Sequence, residues 1–270
     1  MTMNNLVDAF ADVVINNTVA DIINIHSKNK QDIRDIILNL VNIQSVNTIL
    51  DLGCGTGFFT KALKGRVHPN AHLTGIDYCV DNKIDFLKNC KTACFKGRFI
   101  NSNLPELNSI INEKFDLILC SYALYFFPEI IPQISRMLKS NGIFIAITHT
   151  KQHLNELTLL IKRILKKNNI ATEQNLPYEK LLIKFSDNNG YQLLSPWFKK
   201  IEMIYYKNSL VFNQKEFPDF IRYFRHKSPF FIQNNKGLHD KIINCLEKDI
   251  KTMKSFETNK DDVIFICSKS

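Results

Sequence analysis

The sequence has no uncharged apolar run approaching the roughly 20 residues that a membrane-spanning helix needs, so it predicts a protein without a membrane span. Its opening stretch, MTMNNLVDAFADVV, carries Asp8 and Asp12 and lacks the basic start and long apolar segment of a signal peptide. Tight cysteine pairs backed by histidine are also missing, and the cysteines number seven, so neither a metal site nor a complete disulfide framework is expected. We expect free thiols in a reducing cytoplasm.

Clustered charge is absent as well. The chain carries a formal net charge of +9, but no run of five or more basic residues marks a tail that would bind nucleic acid. Scattered lysines are typical of a solvated surface, so the positive excess permits nucleic acid or an acidic partner without requiring either. With 45% hydrophobic and 23% charged residues among 270, the composition predicts one large globular domain or one domain with additions.

Short apolar segments alternate with helical ones after residue 46, and this alternation predicts an α/β fold with a parallel sheet. The five strands expected in this region are TILDL 48–52, HLTGI 72–76, RFIN 98–101, FDLILC 115–120 and GIFIAITH 142–149. Helices are predicted from Phe58, over about 81–93, and before a capping pair at Asn141–Gly142. Beyond them, the pattern predicts a helix over 152–167, a strand over 199–212, helices within 213–260 and a closing strand over 262–267.

Glycine is scarce, with nine residues in the chain, yet three of the nine lie within five positions in ILDLGCGTG, residues 49–57. Gly53, Gly55 and Gly57 follow the first strand directly, and bare backbone allows a ligand to approach where a side chain would block it. Open α/β sheets bind ligands at this carboxyl end of their strands. Because Phe58 stands where the dinucleotide fingerprint has its third glycine, and because no Walker phosphate loop is present, neither of those sites is predicted.

An acidic residue ends the second strand. Asp77, in TGIDYC, lies 26 residues after Asp51. A carboxylate at this position can accept hydrogen bonds from both hydroxyls of a ribose. A glycine turn and a ribose carboxylate at the ends of two successive strands therefore predict a ligand that contains adenosine.

With these motifs the chain resembles the class I S-adenosylmethionine-dependent methyltransferases. ILDLGCGTG resembles their first motif, GIDYC the second, FDLILCSYALYFFPE the fourth-strand motif and LKSNGIFIAIT the fifth strand, which together cover about residues 45–150. THTKQHLNEL and FSDNNG extend the resemblance to about residue 212 and narrow it to an uncharacterised bacterial branch of small-molecule type.

The resemblance implies a Rossmann-like, seven-stranded methyltransferase sheet with helical lid insertions. We expect a single methyltransferase domain over residues 1–270, built as an N-terminal helical cap, 1–46, a core, 47–212 and 261–270, and a helical lid insert, 213–260. Aromatic residues at 217, 220, 223 and 224 indicate an apolar enclosure, although part of this stripe has the spacing of a helix core. The cap and residues 213–258 are expected to close a cavity for the acceptor.

The resemblance also implies the cofactor, S-adenosyl-L-methionine, and the residues that bind it. Asp51 supports the glycine turn and the ammonium end of the cofactor, Asp77 holds the ribose, and Tyr78 packs on the adenine. Where many relatives have an aspartate facing the adenine amino group, this chain has Asn101-Ser102-Asn103, and either an amide oxygen or a hydroxyl can accept that hydrogen bond. The full predicted set is Asp51, Gly53, Cys54, Gly55, Gly57, Asp77, Tyr78, Asn101, Ser102, Cys120 and Ser121.

The residues after strands four and five bear on the methyl acceptor. The [DN]-P-P-[YF] motif of enzymes that methylate base amines is absent, and Leu119 replaces the proline expected before a cytosine-attacking cysteine, so Cys120 is expected to close a buried strand. His149 is expected to be a strand-end residue bonded to backbone. His153 could either orient or deprotonate an acceptor or be structural. Tyr122 and His153 are the predicted catalytic residues, both pointing into the acceptor cavity.

The leading interpretation is a cytoplasmic enzyme that methylates oxygen or nitrogen of a small molecule, without a metal and without a membrane or nucleic-acid partner. An RNA or protein methyltransferase is the alternative that the net charge slightly favours, although no recognisable RNA-binding domain accompanies it. A non-catalytic partner protein that kept the fold is a third possibility, which the intact Gly53, Gly55, Gly57 and Asp77 disfavour. The acceptor, the methylated atom and the oligomeric state stay open at this stage.

Overall fold

The computed structural model describes residues 13–170, 174–232 and 236–269, and the chain in it divides into two compact units. The sheet unit comprises Gln31–Thr150, Lys184–Tyr206 and the described residues from Asp262 onward. The helical unit comprises the described residues up to Lys30, Lys151–Ile183 and Lys207–Asp261. Each unit is therefore assembled from three separate stretches of sequence.

Within the described residues, the strands are β1 Thr48–Leu52, β2 His72–Asp77, β3 Lys96–Asn101, β4 Phe115–Ser121, β5 Leu138–His149, β6 Lys200–Tyr206, β7 Ser209–Asn213, β8 Ser255–Asn259 and β9 Asp262–Ser268. Seven of them form the sheet unit's main sheet, in the order β3-β2-β1-β4-β5-β9-β6. Strand β9 runs antiparallel to both of its neighbours, and the other pairs are parallel. The predicted Rossmann-like, seven-stranded α/β sheet is thus confirmed.

The helices of the described chain are α1 Val13–His26, α2 Ile33–Leu40, α3 Asn82–Thr92, α4 Leu107–Ile110, α5 Ile131–Met137, α6 Asn155–Lys167, α7 Pro177–Lys184, α8 Gly190–Leu194, α9 Phe217–Lys227 and α10 Lys236–Ile250. Strands β1 and β4 are near-continuous apolar runs because a parallel sheet with helices on its faces buries both sides of each strand. Their buried side chains pack with those of α2 and α3 in one core that includes Ile37, Ile49, Phe86 and Leu117. This core fixes the carboxyl ends of the strands, where the candidate site lies.

Two predicted helix positions beside this sheet are wrong. Helix α5 ends at Met137 and β5 already begins at Leu138, so Asn141 and Gly142 lie inside a strand. Gly142 fits there because a Cβ would stand 2.8 Å from the Leu138 side chain and 3.0 Å from the Phe115 carbonyl oxygen. The segment after Gly57 is a succession of turns instead of a helix, closed mostly by bonds between residues three apart, such as Thr60 N–H to the Gly57 carbonyl at 3.2 Å.

The predicted strand over 199–212 is in fact two strands in different units. Strand β6 joins the main sheet, whereas β7 pairs with β8 in the helical unit. Asn208 interrupts the run: its backbone N–H donates to the Asp261 carboxylate at 2.8 Å, and its carbonyl accepts from the Lys260 N–H at 2.9 Å. Strand β8 also lies in the segment that was expected to be helical.

The helical unit has an aromatic core around the β7–β8 ladder. Phe212 packs against Phe220 with ring centroids 5.3 Å apart, and Phe220 packs against Phe256 at 4.8 Å. Tyr223 and Phe224 are buried as well, so the aromatic stripe of α9 contributes to this core. None of the helices among the described residues is both long and apolar enough to cross a membrane.

Two of the predictions stay open at this level. Residues 1–12 of the predicted N-terminal helical cap lie outside the described residues, and α1 is described from Val13 onward. The three-part division into cap, core and lid insert remains a prediction. In the structure α2 lies in the sheet unit, and α6 lies in the helical unit.

Candidate active site at the carboxyl edge of the sheet

The glycine turn, residues 53–57, leaves β1 in a left-handed backbone conformation. Gly53 has φ +67° and Gly55 has φ +50°, a backbone region that residues other than glycine rarely adopt. A Cβ on Gly53 would stand 2.6 Å from the Cβ of Ala123, so β1 and the loop after β4 approach each other too closely for any side chain. At Gly55, by contrast, no described atom lies within 4 Å of the Cβ position, so the turn presents bare backbone to open space.

Asp77 holds this turn from the end of β2. One carboxylate oxygen accepts from the Gly55 N–H at 2.8 Å. The other oxygen accepts from the Cys79 N–H at 2.9 Å and from the Asn82 side-chain amide at 3.2 Å. Because each carboxylate oxygen can accept two hydrogen bonds, the oxygen that binds Gly55 keeps capacity for a ligand hydroxyl. Asp77 therefore both shapes the turn and faces the space that the turn leaves open.

The end of β3 supports the same loop. The Asn101 side-chain amide donates to the carbonyl oxygens of Asp77 at 3.1 Å and Tyr78 at 2.6 Å, which leaves its own amide oxygen able to accept. The Ser102 hydroxyl donates to Glu106 at 3.1 Å. Tyr78 is 46% exposed and Val80 is 54% exposed, so this loop offers an apolar surface beside Asp77.

Asp51 is a carboxylate buried beneath the glycine turn, with 2% of its surface exposed. Burial raises the pKa of Asp51 to about 7, and the nearby negative charge of Asp77 adds to the increase. A buried carboxylate becomes fully ionised when a cation pairs with it. The environment of Asp51 is therefore suited to a positively charged group of a ligand in the adjoining space.

The cysteines of the cleft are not nucleophiles. Burial raises the pKa of the Cys54 and Cys120 thiols well above the ordinary value, and the charge of Asp51 acts in the same direction on both, so they are protonated at neutral pH. This agrees with the expectation that Cys120 closes a buried strand. The Ser121 hydroxyl, one residue further on, has no hydrogen-bond partner among the described residues.

A cluster of polar side chains follows β4 and β5, and the sequence predicted only part of it. Tyr122 has φ +57° directly after β4, and its hydroxyl donates to the Asp262 carboxylate at 2.9 Å. His149 ends β5, and its Nδ1 lies 2.7 Å from the other Asp262 oxygen. The Tyr122 ring packs on the His149 ring at 5.1 Å between centroids, and Tyr125 stacks on it at 5.6 Å. Burial, with Asp262, raises the pKa of Tyr122, so Tyr122 is a neutral hydrogen-bond donor.

A further group of contacts at this edge, centred on Arg34 and Phe58, was not predicted from the sequence. The Arg34 guanidinium pairs with Asp32 at 2.6 Å and donates to the Phe58 carbonyl oxygen at 2.9 Å. It also lies 4.9 Å from the centroid of the Phe58 ring, which in turn meets the Tyr122 ring edge-on at 6.1 Å. Phe58, 38% exposed, thus links the glycine turn to the cluster after β4.

His153, the other predicted catalytic residue, belongs to the helical unit. It is buried, with 3% exposed, and its Nδ1 is hydrogen-bonded to the Tyr178 hydroxyl. Tyr178 packs in turn on Phe231, with 5.3 Å between ring centroids. The catalytic assignment of His153 remains a prediction.

The strand order, with antiparallel β9 inserted between β5 and β6, and the glycine turn after β1 define the fold of the class I methyltransferases. Residues 43–207, more than half of the chain, match the family model described as "Methyltransferase domain". The chain therefore belongs to this family of methyltransferase domains.

Among curated relatives, the chain is 27% identical to the malonyl-[acyl-carrier protein] O-methyltransferase of Acetivibrio thermocellus, over 62% of this chain and 53% of that protein. It is 31% identical to the trans-aconitate 2-methyltransferase of Enterobacter sp. over 40% of this chain and 41% of that protein. The chain spans about half the length of the curated relatives it matches.

A solved structure resembles nearly the whole chain. The plantazolicin methyltransferase BamL, in complex with a triazolic desmethylPZN analogue and SAH, aligns with a TM-score of 0.50 at 17% identity and covers 99% of this chain and 96% of its own. At this identity the likeness concerns the fold alone.

Proposed function

We propose that the chain is an S-adenosyl-L-methionine-dependent methyltransferase that acts on oxygen or nitrogen of a small-molecule acceptor. The observation that carries the proposal is the open space beside Gly55, whose N–H donates to the Asp77 carboxylate at the end of β2. The cofactor, when bound, supplies a methyl group on a positively charged sulfur, which leaves as a neutral thioether. Membership of a methyltransferase family favours an enzyme over a non-catalytic partner protein.

The residues around the glycine turn fit each part of this cofactor. The bare backbone at Gly55 gives room that a side chain would fill. Asp51, buried and lacking a neutralising cation nearby among the described residues, suits the amino-acid ammonium. Asp77 retains acceptor capacity for a ribose hydroxyl, and Tyr78 and Val80 offer apolar surface for an adenine ring.

The names of the relatives support a small acceptor group. They specify a malonyl group on an acyl carrier protein and trans-aconitate, both of which carry carboxylates. Because the chain spans only about half of those proteins, the names support the reaction class more strongly than any particular acceptor.

The protein's own contribution to this reaction is mainly alignment and exclusion of water, because the leaving group is already good. Asp51 and Asp77 hold the two ends of the cofactor, and the loop after β4 faces the transferred group. Phe58, which is 38% exposed, and Tyr122 provide an aromatic surface at this edge on which an acceptor can be held.

Ligand-dependent stabilisation tests this proposal. S-adenosylmethionine and S-adenosylhomocysteine should each raise the melting temperature, by an increment in unfolding free energy of about 4 kcal/mol at a thousandfold excess over Kd. NAD at the same concentrations should have no effect, because Phe58 replaces the glycine that a dinucleotide requires. Stabilisation by NAD alone, or by none of the three compounds, would contradict the proposed function.

Binding of S-adenosylhomocysteine should also release a proton at pH 6. Asp51, with its pKa near 7, is mostly protonated in the free protein at this pH, and pairing with the ligand ammonium favours its ionised form. Affinity should accordingly fall as the pH is lowered below about 7. Calorimetry in buffers of different ionisation enthalpy measures the release. Asp51→Asn should remove the buffer dependence, and equal heats in all buffers with the unmodified protein would refute the ammonium assignment.

A further inference from the structure

His149 and Asp262 form a close pair at the edge of the sheet where the glycine turn lies. The antiparallel register places the two residues directly opposite each other, at the end of β5 and the start of β9. Their side chains are largely enclosed, with 12% of His149 and 3% of Asp262 exposed. One Asp262 oxygen lies 2.7 Å from Nδ1 of His149, and the other accepts from the Tyr122 hydroxyl at 2.9 Å.

This pairing fixes the tautomer of the imidazole. An ionised carboxylate only accepts hydrogen bonds, so a neutral His149 carries its proton on Nδ1 and donates it to Asp262. Nε2 is then the basic nitrogen of the ring, and the buried carboxylate stabilises the imidazolium that forms when Nε2 takes up a proton. Tyr122 donates its hydroxyl proton to the same carboxylate and so restrains its orientation.

The pair is also connected to the proposed cofactor site. Strands β1, β4 and β5 are adjacent and parallel, so the glycine turn, Tyr122 and His149 all leave the sheet at the same edge. The Tyr122 ring contacts the His149 ring on one side and Phe58, which immediately follows the glycine turn, on another. His149 is therefore placed among the groups that would surround a transferred methyl.

We propose that His149, oriented by Asp262, removes a proton from the methyl acceptor, and that the acceptor atom is a hydroxyl oxygen. This inference rests on the proposed function. A carboxylate is ionised at neutral pH, and a neutral amine attacks through its own lone pair, so neither needs a base during the transfer. A hydroxyl must lose its proton as the new bond forms, so a positioned imidazole–carboxylate pair serves a hydroxyl acceptor. The proposal separates this chain from the relatives whose named acceptors carry carboxylates.

The proton and electron pairs of the step balance as follows. The acceptor oxygen forms a bond to the methyl carbon, and the hydroxyl proton passes to Nε2 of His149. The electron pair of the broken carbon–sulfur bond stays on sulfur, which loses its positive charge. The products are a methyl ether, a neutral thioether and an imidazolium paired with Asp262. The imidazolium then returns the proton from Nε2 to solvent.

Nuclear magnetic resonance of ¹⁵N-histidine-labelled protein tests the arrangement without any acceptor. In the presence of S-adenosylhomocysteine, His149 should show the Nδ1-protonated neutral tautomer. Its resonances are assigned as those that are missing from the spectrum of the His149→Gln variant. An Nε2-protonated neutral ring would overturn the proposal. His72, exposed at the start of β2 on the opposite edge of the sheet, gives a reference signal that should not respond to the ligand.

Transfer of a labelled methyl group from S-adenosylmethionine tests the chemistry. The probe is a deproteinised small-molecule extract of the source cells, and the labelled product is treated with mild alkali, which hydrolyses methyl esters and spares ethers. Because N-methyl groups also resist alkali, the product is then heated in hydriodic acid, which releases methyl iodide from methyl ethers much more readily than from N-methyl groups. We expect an alkali-stable product that releases labelled methyl iodide. We also expect His149→Gln to lower kcat by about 100-fold or more, the scale of general-base catalysis, with the Kd for S-adenosylhomocysteine changed less than about twofold.

Asp262→Asn should lower kcat by a smaller factor than His149→Gln, with little change in KM, as expected for a positioning residue. The control His72→Gln should have the kcat and KM of the unmodified protein. An alkali-labile product, or an alkali-stable product that releases no methyl iodide, would overturn the inference and leave the proposed function standing. Transfer by His149→Gln within about threefold of the unmodified rate would do the same, since a hundredfold loss is the low end for a removed general base. Absence of transfer by the unmodified protein would overturn both together.

Discussion

Gly55→Val should abolish binding of S-adenosylhomocysteine while leaving the protein folded. The valine side chain would occupy the space beside the glycine turn in which no described atom now lies within 4 Å. The left-handed backbone at this position, with φ +50°, adds a strain of about 1–3 kcal/mol, which is smaller than the usual stability of a domain. Calorimetric titration should show affinity reduced beyond detection, and a melting curve should show a cooperative transition at lower temperature.

Gly65→Val is the matched control for this substitution. Gly65 has φ +73°, and no described atom lies within 4 Å of its Cβ position either, so valine there meets the same kind of backbone strain without a clash. Gly65 is exposed and eight residues beyond the glycine turn, outside the proposed cofactor space. The two variants should lose similar stability, and only Gly55→Val should lose the ligand. Equal affinity of both variants would show that the cofactor lies elsewhere.

Asp77→Ala should weaken S-adenosylhomocysteine binding by about 2–4 kcal/mol, roughly 30- to 1,000-fold. Two losses contribute. The ribose hydroxyls lose a charged acceptor, and the glycine turn loses the carboxylate that accepts from the Gly55 N–H at 2.8 Å. The affinity of Asp77→Asn for S-adenosylhomocysteine should lie between that of the alanine variant and that of the unmodified protein, because the amide oxygen can replace one acceptor.

Asp81→Ala removes the same charge four residues further on and controls for long-range electrostatics. Asp81 is exposed and makes no capping hydrogen bond at the start of α3. Its replacement should change affinity by less than about 0.5 kcal/mol, the range usual for surface substitutions. If Asp77→Ala binds no more weakly than Asp81→Ala, the ribose assignment is wrong.

The part of the fold that could be predicted is the part governed by local pattern. Apolar runs that end in Gly53 or Asp77 identify buried strands and their carboxyl ends within a few residues, so the core strands β1 to β4 agree closely with expectation. The glycine turn was equally visible, because positive φ and close approach to Ala123 leave no other residue type suitable there.

The wrong predictions share a physical cause, which is tertiary context that overrides local preference. Asn141–Gly142 has the composition of a helix end, yet it lies within β5, where the space around Gly142 is too small for a side chain. The run 199–212 has the composition of one continuous strand. The Asp261 carboxylate accepts a hydrogen bond from the Asn208 N–H, however, and the run is divided there between two sheets. Neither constraint is visible in the segment itself.

The pair between His149 and Asp262 could not be read from the sequence for a related reason. The two residues are 113 positions apart, and only the insertion of β9 beside β5 brings them together. Asp262 begins the closing strand, where an acidic residue in isolation signals nothing beyond a strand boundary. His149 was expected to be a strand-end residue bonded to backbone; it does end β5, and its Nδ1 pairs with a carboxylate that the sequence did not predict.

The position of β9 also has a consequence for the nascent chain. Strand β6 pairs with β9 and with no other strand of the described chain, and β5 has β9 on its outer side. Translation of the 113 residues from His149 to Asp262, at about 5–20 residues per second, takes roughly 6–23 s. During this interval a ribosome-bound chain presents β5 as an open, apolar sheet edge, the kind of edge that recruits foreign strands. That edge closes only when residues 262–268 emerge and pair with β5.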